Sequence, residues 1–400
     1  MAQFDPNFDM ADPWSRFAAD RSACPIGRVM RDDGFTFHRI NTYDLIREAS
    51  RRHDLFSNRL GVGPRGPHRE GEQVLEYTDP PAHTIHRQLI GKAFSVARVN
   101  EKADRIQQIA DDLIDEIVAT GTNRFELRRQ FARPLPSQVI AEILGVPSND
   151  RAQFIAWSER IEAVAGDLVL SEEDEQVRRT FLDYCLAQLR SRLEHPRDDL
   201  LTTIMHAQVE GQRFTEIEAA AMVRLLLAAG NGTTSIGASN LVYQLEKHPD
   251  QKARLLADMD GLLESCVEEG FRFDCPVKGN FRGVLGHGEI GDVKVEPGER
   301  IYMLYASGNH DPSRYDRPDE FVIDRDWPKL PRHLAFGYGI HFCLGADLAR
   351  LETQIGIRTL YTRLPNLRIA QGFTPSQVPG MTFRTWEKLE MEFDGPVAGR

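Results

Sequence analysis

No stretch of this 400-residue chain approaches the ~18–20 consecutive apolar residues that a membrane span requires. The opening "MAQFDPNFDMADPWSRFAAD" lacks both the basic flank and the apolar run of a signal peptide. Cysteine is scarce. Five residues (Cys24, Cys185, Cys266, Cys275, Cys343), odd in number and without a CxxC pair, argue against a zinc knuckle or a disulfide framework and leave reduced thiols as the expectation. A net charge of -11 argues against a general binder of nucleic acid or anionic membrane. Internal repeats and low-complexity tracts are missing as well. What remains, 41% apolar and 27% charged residues, suits a globular protein with a sizeable core. The expectation is a soluble cytoplasmic protein.

Residues 101 to 247 read mostly as helix: "KADRIQQIADDLIDEIVA", "SQVIAEILGV" and "VRRTFLDYCLAQLRSRLE" carry helical periodicity. A long helix opens with the capping-box pattern Thr215-Glu216-Ile217-Glu218 and runs to about Lys247, before His248-Pro249. "DVKVEPGERIYMLY" alternates around Pro297-Gly298 and reads as a hairpin. After Gly308 comes a proline-rich stretch with little periodicity, and a last helix, "GADLARLETQIGIRTLYTRL", follows Cys343. No linker-like composition shift divides the chain. Residues 1–400 are expected to form one mainly α domain with small β-sheets.

The sharpest signal is "HLAFGYGIHFCLGADLAR". Cys343 stands between a glycine-rich loop and the first turn of a helix, whose partial positive charge favours thiolate. Gly337, Gly339 and Gly345 let the backbone wrap the sulfur, and Phe336 offers apolar cover. A lone cysteine at such a junction is more often structural. Its neighbours here point instead to an axial thiolate ligand for haem iron.

Phe336, Gly339, His341, Cys343 and Gly345 fit FxxGxHxCxG, and with this pattern the chain resembles the cytochrome P-450 superfamily in its soluble bacterial type, from about Thr78 to the end. The resemblance implies a mainly α triangular prism with a long central helix over one haem b (iron protoporphyrin IX). It also makes Cys343 the ligand and Glu269 and Arg272 the ExxR pair, joined by Arg325 in a buried network that braces the ligand loop. His83, Arg87, Arg282 and His333 fall at the family's propionate-binding positions.

The stretch "LLLAAGNGTTSIGASN" interrupts the apolar centre of the long helix with residues that cost it roughly 2–3 kcal/mol. Ala229-Gly230-Asn231-Gly232-Thr233-Thr234 aligns with the family's [AG]GxDTT, where a locally disordered turn makes a groove for dioxygen. Thr233 is then the hydroxyl that orients a proton-delivering water. Gly232 departs from the family, which has an acid there. Asn231 cannot simply replace it, because one residue along a helix turns the side chain by about 100°.

By resemblance the activity is reductive activation of dioxygen, with one oxygen atom inserted into a small hydrophobic or aromatic substrate by hydroxylation or O-dealkylation. Because Gly232 lacks the acid, a peroxide-driven catalyst and one completed by the substrate's own polar group stay open, as does a haem-based ligand sensor. A monomer served by a separate ferredoxin or flavodoxin and its reductase is expected, with Arg87, Lys92 and Arg98 as candidate docking cations. Family substrate-contact segments contain Val74, Leu75, Leu226, Val277, Met381 and Thr382, besides the loop Arg59 to Tyr77. Lys278 either anchors a substrate carboxylate or faces solvent.

Overall fold

The computed structural model describes residues 2–3, 13–31, 33–63, 73–163 and 171–395. Helices dominate, as expected, and the longest is Glu216–Lys247. Thr215 caps it: the Glu218 N–H donates to the Thr215 hydroxyl at 3.2 Å, and the Glu218 carboxylate accepts the Thr215 N–H at 2.8 Å. These two bonds satisfy donors that a helix start otherwise leaves orphaned. At 32 residues the helix is about 48 Å long. It packs against Pro134–Leu144, Glu172–Glu194, Met259–Phe273 and Ala346–Arg363, and most of its residues are buried.

Its expected interruption does not occur. The helix is continuous through Gly230, Asn231, Gly232, Thr233 and Thr234. The Thr233 hydroxyl donates to the Ala229 carbonyl one turn back at 2.6 Å, so the threonine is accommodated without breaking the ladder. Weak propensity is outweighed by the packing of the turns on either side.

Small residues let neighbouring helices approach. A Cβ on Gly270 would lie 2.9 Å from Leu241 Cδ1, too close to be tolerated without movement. That contact seats the helix Met259–Phe273 on the central one.

The larger sheet has six strands in the order Ala2–Gln3, Ile26–Met30, Thr36–Ile40, Arg300–Met303, Asn280–Val284, Phe56–Ser57. Thr36–Ile40 and Arg300–Met303 run parallel, with His38 opposite Ile301. A three-stranded sheet joins Arg124–Glu126, Arg368–Ile369 and Glu390–Glu392. The hairpin expected around Pro297-Gly298 is corrected here. Strands do flank the turn, but Val293–Val295 pairs with Gly288–Ile290, whereas Arg300–Met303 enters the larger sheet between Thr36–Ile40 and Asn280–Val284. Period-two alternation identifies strands and says nothing of their partners.

The proline-rich stretch after Gly308 makes few regular elements, and side chains meet its backbone groups instead. Arg272 donates to the carbonyls of Asn309 at 2.8 Å and Pro318 at 2.7 Å. Arg325 donates to Asp316 at 2.6 Å and Arg317 at 2.8 Å. Both guanidiniums converge on Glu269, whose carboxylate accepts from Arg272 Nε and Nη2 at 2.8 Å, from Arg325 Nε at 3.0 Å and from the Val322 N–H at 2.8 Å. The Glu269 and Arg272 side chains are fully buried. Two cations around one carboxylate, with their remaining donors spent on carbonyls, satisfy the conditions under which buried charge is tolerated.

Removing one partner leaves the others buried and unpaired. Arg272→Ala or Glu269→Ala is therefore expected to lose about 3–5 kcal/mol, seen as a large fall in the thermal midpoint. Arg98→Ala, which breaks an exposed pair with Glu101 at 3.0 Å, should leave the thermal midpoint nearly unchanged. Equal small effects from all three substitutions would contradict a weight-carrying network.

Candidate active site

The ligand loop is built from two single turns, Leu334–Phe336 and Gly339–His341. Gly337 and Gly339 have φ of 72° and 74°, values that favour glycine. A Cβ on Gly339 would also lie 2.5 Å from the Ser50 carbonyl oxygen. The Cys343 N–H donates to the Phe336 carbonyl at 2.8 Å and closes the loop, and the helix Ala346–Arg363 begins three residues later. Gly345 meets the expectation through its N–H and not through glycine's freedom, since its φ is -91° and nothing crowds the place of its missing Cβ. It contributes its N–H, which bonds to Cys343 and favours the thiolate.

The Cys343 sulfur is exposed to a cavity although the loop wraps it within the molecule. Burial pushes its thiol pKa up, against the lowering pull of the Gly345 N–H, Arg87 and Arg350. That reverses the depression expected from the helix start, because desolvation penalises the whole charge while the helix field is confined to its first turn. A metal cation bound at the sulfur inverts this balance and deprotonates the thiol.

Around the sulfur the cavity wall gathers Phe336, Gly337, His341 and Gly345 from the loop, His83 and Arg87 from the helix Ala82–Gly91, and Arg282 from the strand Asn280–Val284. Ala229, Gly230 and Thr233 of the central helix line it too, and Leu75, Leu226 and Val277 add apolar surface. Arg87 donates to the Phe342 carbonyl at 2.6 Å, and Arg282 to the Phe281 carbonyl at 2.8 Å. His83 and His341 lie edge to face, 4.4 Å apart. Burial, with nearby arginines adding to it, lowers the His83 pKa to about 4 and that of His341 to about 2, so both rings are neutral.

Haem b fits these residues. Nε2 of His83 and Nε2 of His341 are buried without a hydrogen-bond partner among the described residues, as donors awaiting an acceptor are. Arg87 and Arg282 bring two positive charges to the same cavity, matching two propionates. A bare thiol faces the same space.

Several expected site residues lie elsewhere. His333 is outside the cavity wall: its Nε2 is 3.2 Å from Glu268 and its Nδ1 accepts the Ala335 N–H at 3.3 Å. Asn231 is fully buried and accepts a hydrogen bond from Ser137, since helical rotation turns it from the cavity. Gly232 is also absent from the wall, and a Cβ there would meet nothing within 4 Å. Val74, Met381 and Thr382 do not line the cavity; Val74 is buried in the core, and the backbone carbonyls of Met381 and Thr382 accept from the Tyr302 hydroxyl and the Lys278 N–H.

Lys278 takes neither of its expected roles. It is 3% exposed, its ammonium donates to the Gly380 carbonyl, and burial lowers its pKa to about 8. Arg87 points inward and so is not a surface docking cation, whereas Lys92 and Arg98 are exposed. Of the loop Arg59 to Tyr77, residues 64–72 lie outside the described residues.

Sequence reading missed two acids in the wall, Glu76 and Glu352. Burial raises the pKa of both, that of Glu352 from 4.5 to about 8 with no other group contributing. Glu352 was legible in principle: it follows Leu348 and Ala349, both in the wall, by four and three residues and so shares their helix face. Glu76 has no comparable signal. Its neighbour Leu75 is held at φ 42°, an unfavourable backbone for leucine, with its N–H donated to His86 Nδ1 at 3.1 Å.

A family model described as Cytochrome P-450 matches residues 34–364. Cytochrome P-450 107B1 of Saccharopolyspora erythraea is 36% identical over 381 residues, covering 92% of this chain and 91% of that protein. Steroid C26-monooxygenase of Mycolicibacterium smegmatis is 34% identical over 374 residues, covering 91% and 90%. The solved structure of CYP109Q5 from Chondromyces apiculatus superposes with a TM-score of 0.88 at 32% identity, covering 99% of this chain and 100% of that one.

Glu352 provides a test by pH. Its native pKa of about 8 lies above the ordinary 4.5, so the folded protein holds a proton that the unfolded chain has released. The stability this brings is complete below about pH 4.5 and is lost as the pH rises towards 8. Glu352→Gln has no such loss, and its stability relative to wild type should grow with pH across that window by up to about 1.4 kcal/mol per pH unit. Denaturant unfolding of both proteins at several pH values measures the trend, and a pH-independent difference would contradict a carboxyl held protonated by burial.

Proposed function

The chain belongs to the cytochrome P-450 family and is a haem-binding monooxygenase, and from that premise we propose that it hydroxylates or O-dealkylates a small hydrophobic or aromatic substrate with electrons from a separate ferredoxin or flavodoxin. The observation that carries this reading is the bare Cys343 sulfur in one cavity wall with Ala229, Gly230 and Thr233 of the central helix. Haem b, when bound, supplies the reductive activation of dioxygen and the transfer of one oxygen atom to the substrate.

The chain's own residues supply the rest. Cys343 ligates the iron. Arg87 and Arg282 neutralise the two propionates, and the free Nε2 positions of His83 and His341 donate hydrogen bonds to them. Leu75, Leu226 and Val277 offer apolar surface to a hydrophobic substrate and exclude water. Thr233 now donates to Ala229, which leaves its oxygen free to accept a hydrogen bond from water on the cavity side.

One observation favours a second element, a proton path completed by the substrate or an ordered water. Asn231 is turned to Ser137, and open space surrounds the position of a Gly232 side chain. Water has room where the family's acid would stand, one residue from Thr233 in the cavity wall. The retained Thr233 supports a catalyst over a haem-based sensor.

A spin-state screen of small aromatic, terpenoid and fatty-acid compounds identifies the substrate. Product formed per NAD(P)H consumed, with a reconstituted redox partner, then tests the proton path. Thr233→Ala should lower coupling and raise peroxide release. Gly232→Asp has space to fold and should also lower coupling, because it displaces the group that fills the gap. Improved coupling in Gly232→Asp would overturn the rebuilt path, and compounds that bind without turnover would overturn the monooxygenase assignment in favour of a sensor.

A further inference from the structure

Against the ligand loop, and outside the cavity wall, lies a cluster of charged and polar side chains. Glu268 belongs to the helix Met259–Phe273, one residue before the buried Glu269. Its carboxylate takes both forks of Arg350, from Nε at 2.5 Å and Nη2 at 3.1 Å, and lies 3.2 Å from His333 Nε2. Because His333 Nδ1 accepts the Ala335 N–H, Nε2 carries the proton and donates. Arg350 also reaches Asp347 at 3.2 Å. Three segments that otherwise only abut are joined: the helix of Glu268, the ligand loop through His333, and the C-terminal helix through Arg350.

The guanidinium of Arg350 stacks on the loop. Its carbon lies 4.6 Å from the centre of the Phe336 ring, well within cation–π range. Phe336 lines the cavity with Cys343, and its carbonyl accepts the Cys343 N–H. His333 is buried, and the Glu268 and Arg350 side chains are only 17% and 24% exposed, so solvent screens their charges incompletely.

We propose that Arg350, with its charge trimmed by Glu268 and His333, is a positioning and tuning residue that sets the electron affinity of the iron held by Cys343. The inference rests on ligation by Cys343. It assigns His333 a role in this cluster rather than at the propionates. Reduction adds one electron beside Phe336, so a cation nearby favours the reduced state and a carboxylate opposes it. The two contributions add with opposite sign, so the balance between them shifts the potential.

The test is the reduction potential of the holoprotein in variants whose carbon monoxide spectrum retains the thiolate signature. Glu268→Gln keeps the shape and removes a negative charge, so the potential should rise. Arg350→Met removes the cation and the potential should fall, while the double variant should return towards wild type. Arg350→Lys keeps the charge and should stay near the wild-type value even where it loses thermal stability. Shifts of the same sign in Glu268→Gln and Arg350→Met, or no shift in either, would overturn the proposal. If Arg350→Met fails to take up haem, Glu268→Gln and Arg350→Lys still decide it: the first must rise and the second must not fall. A wild-type protein without the thiolate signature would instead refute ligation by Cys343, so the two failures are distinguishable.

Discussion

A sulfur held where protein alone does not ionise it is the constraint on which this structure turns. Burial raises the Cys343 thiol, and the Gly345 N–H, Arg87 and Arg350 offset that only in part. A metal cation at the sulfur would favour the thiolate, and the loop turns the sulfur to the cavity. Left-handed Gly337 and Gly339, the bond from Cys343 to the Phe336 carbonyl and the nearby helix start at Ala346 together fix the direction of that one atom.

A loop with so little secondary structure needs support from outside itself. Glu269, Arg272 and Arg325 provide it by fastening a proline-rich segment through its carbonyls, and Asn309 carries the connection onward by accepting the Leu334 N–H at 2.6 Å. Immediately beside that network, Glu268, His333 and Arg350 reach the loop's outer face. Adjacent acids on one helix thus serve different ends. Glu269 holds the segment, and Glu268 conditions the charge near the ligand.

Much of the site was legible because its chemistry demands particular residues at particular spacings. The glycines, Phe336, His341 and Cys343 sit in one short stretch, and Glu269 with Arg272 in another, so local pattern was enough. The misreadings share a cause: side-chain direction and strand partnership depend on tertiary contacts. His333 stands near the loop in sequence yet turns to Glu268. The continuous central helix overrode its own poor propensities, whereas Asn231 faces Ser137 and not the cavity, as the turn per residue predicts. Met381 and Thr382 use their backbones, Lys278 buries its charge against Gly380, and the strands flanking Pro297-Gly298 choose separate sheets. Glu76 and Glu352 escaped notice because a lone acid in a sequence gives no sign of whether it faces water or a cavity.

The central claim is that Cys343 is the thiolate ligand, with the loop and its supports arranged to keep it so. The most direct measurement is the absorption of the reduced protein under carbon monoxide, taken for wild type and for Cys343→His at matched haem content. The account predicts the band position of thiolate-ligated haem in the wild type and its loss in the variant. The same band in both proteins would assign the ligand to another residue and contradict the account.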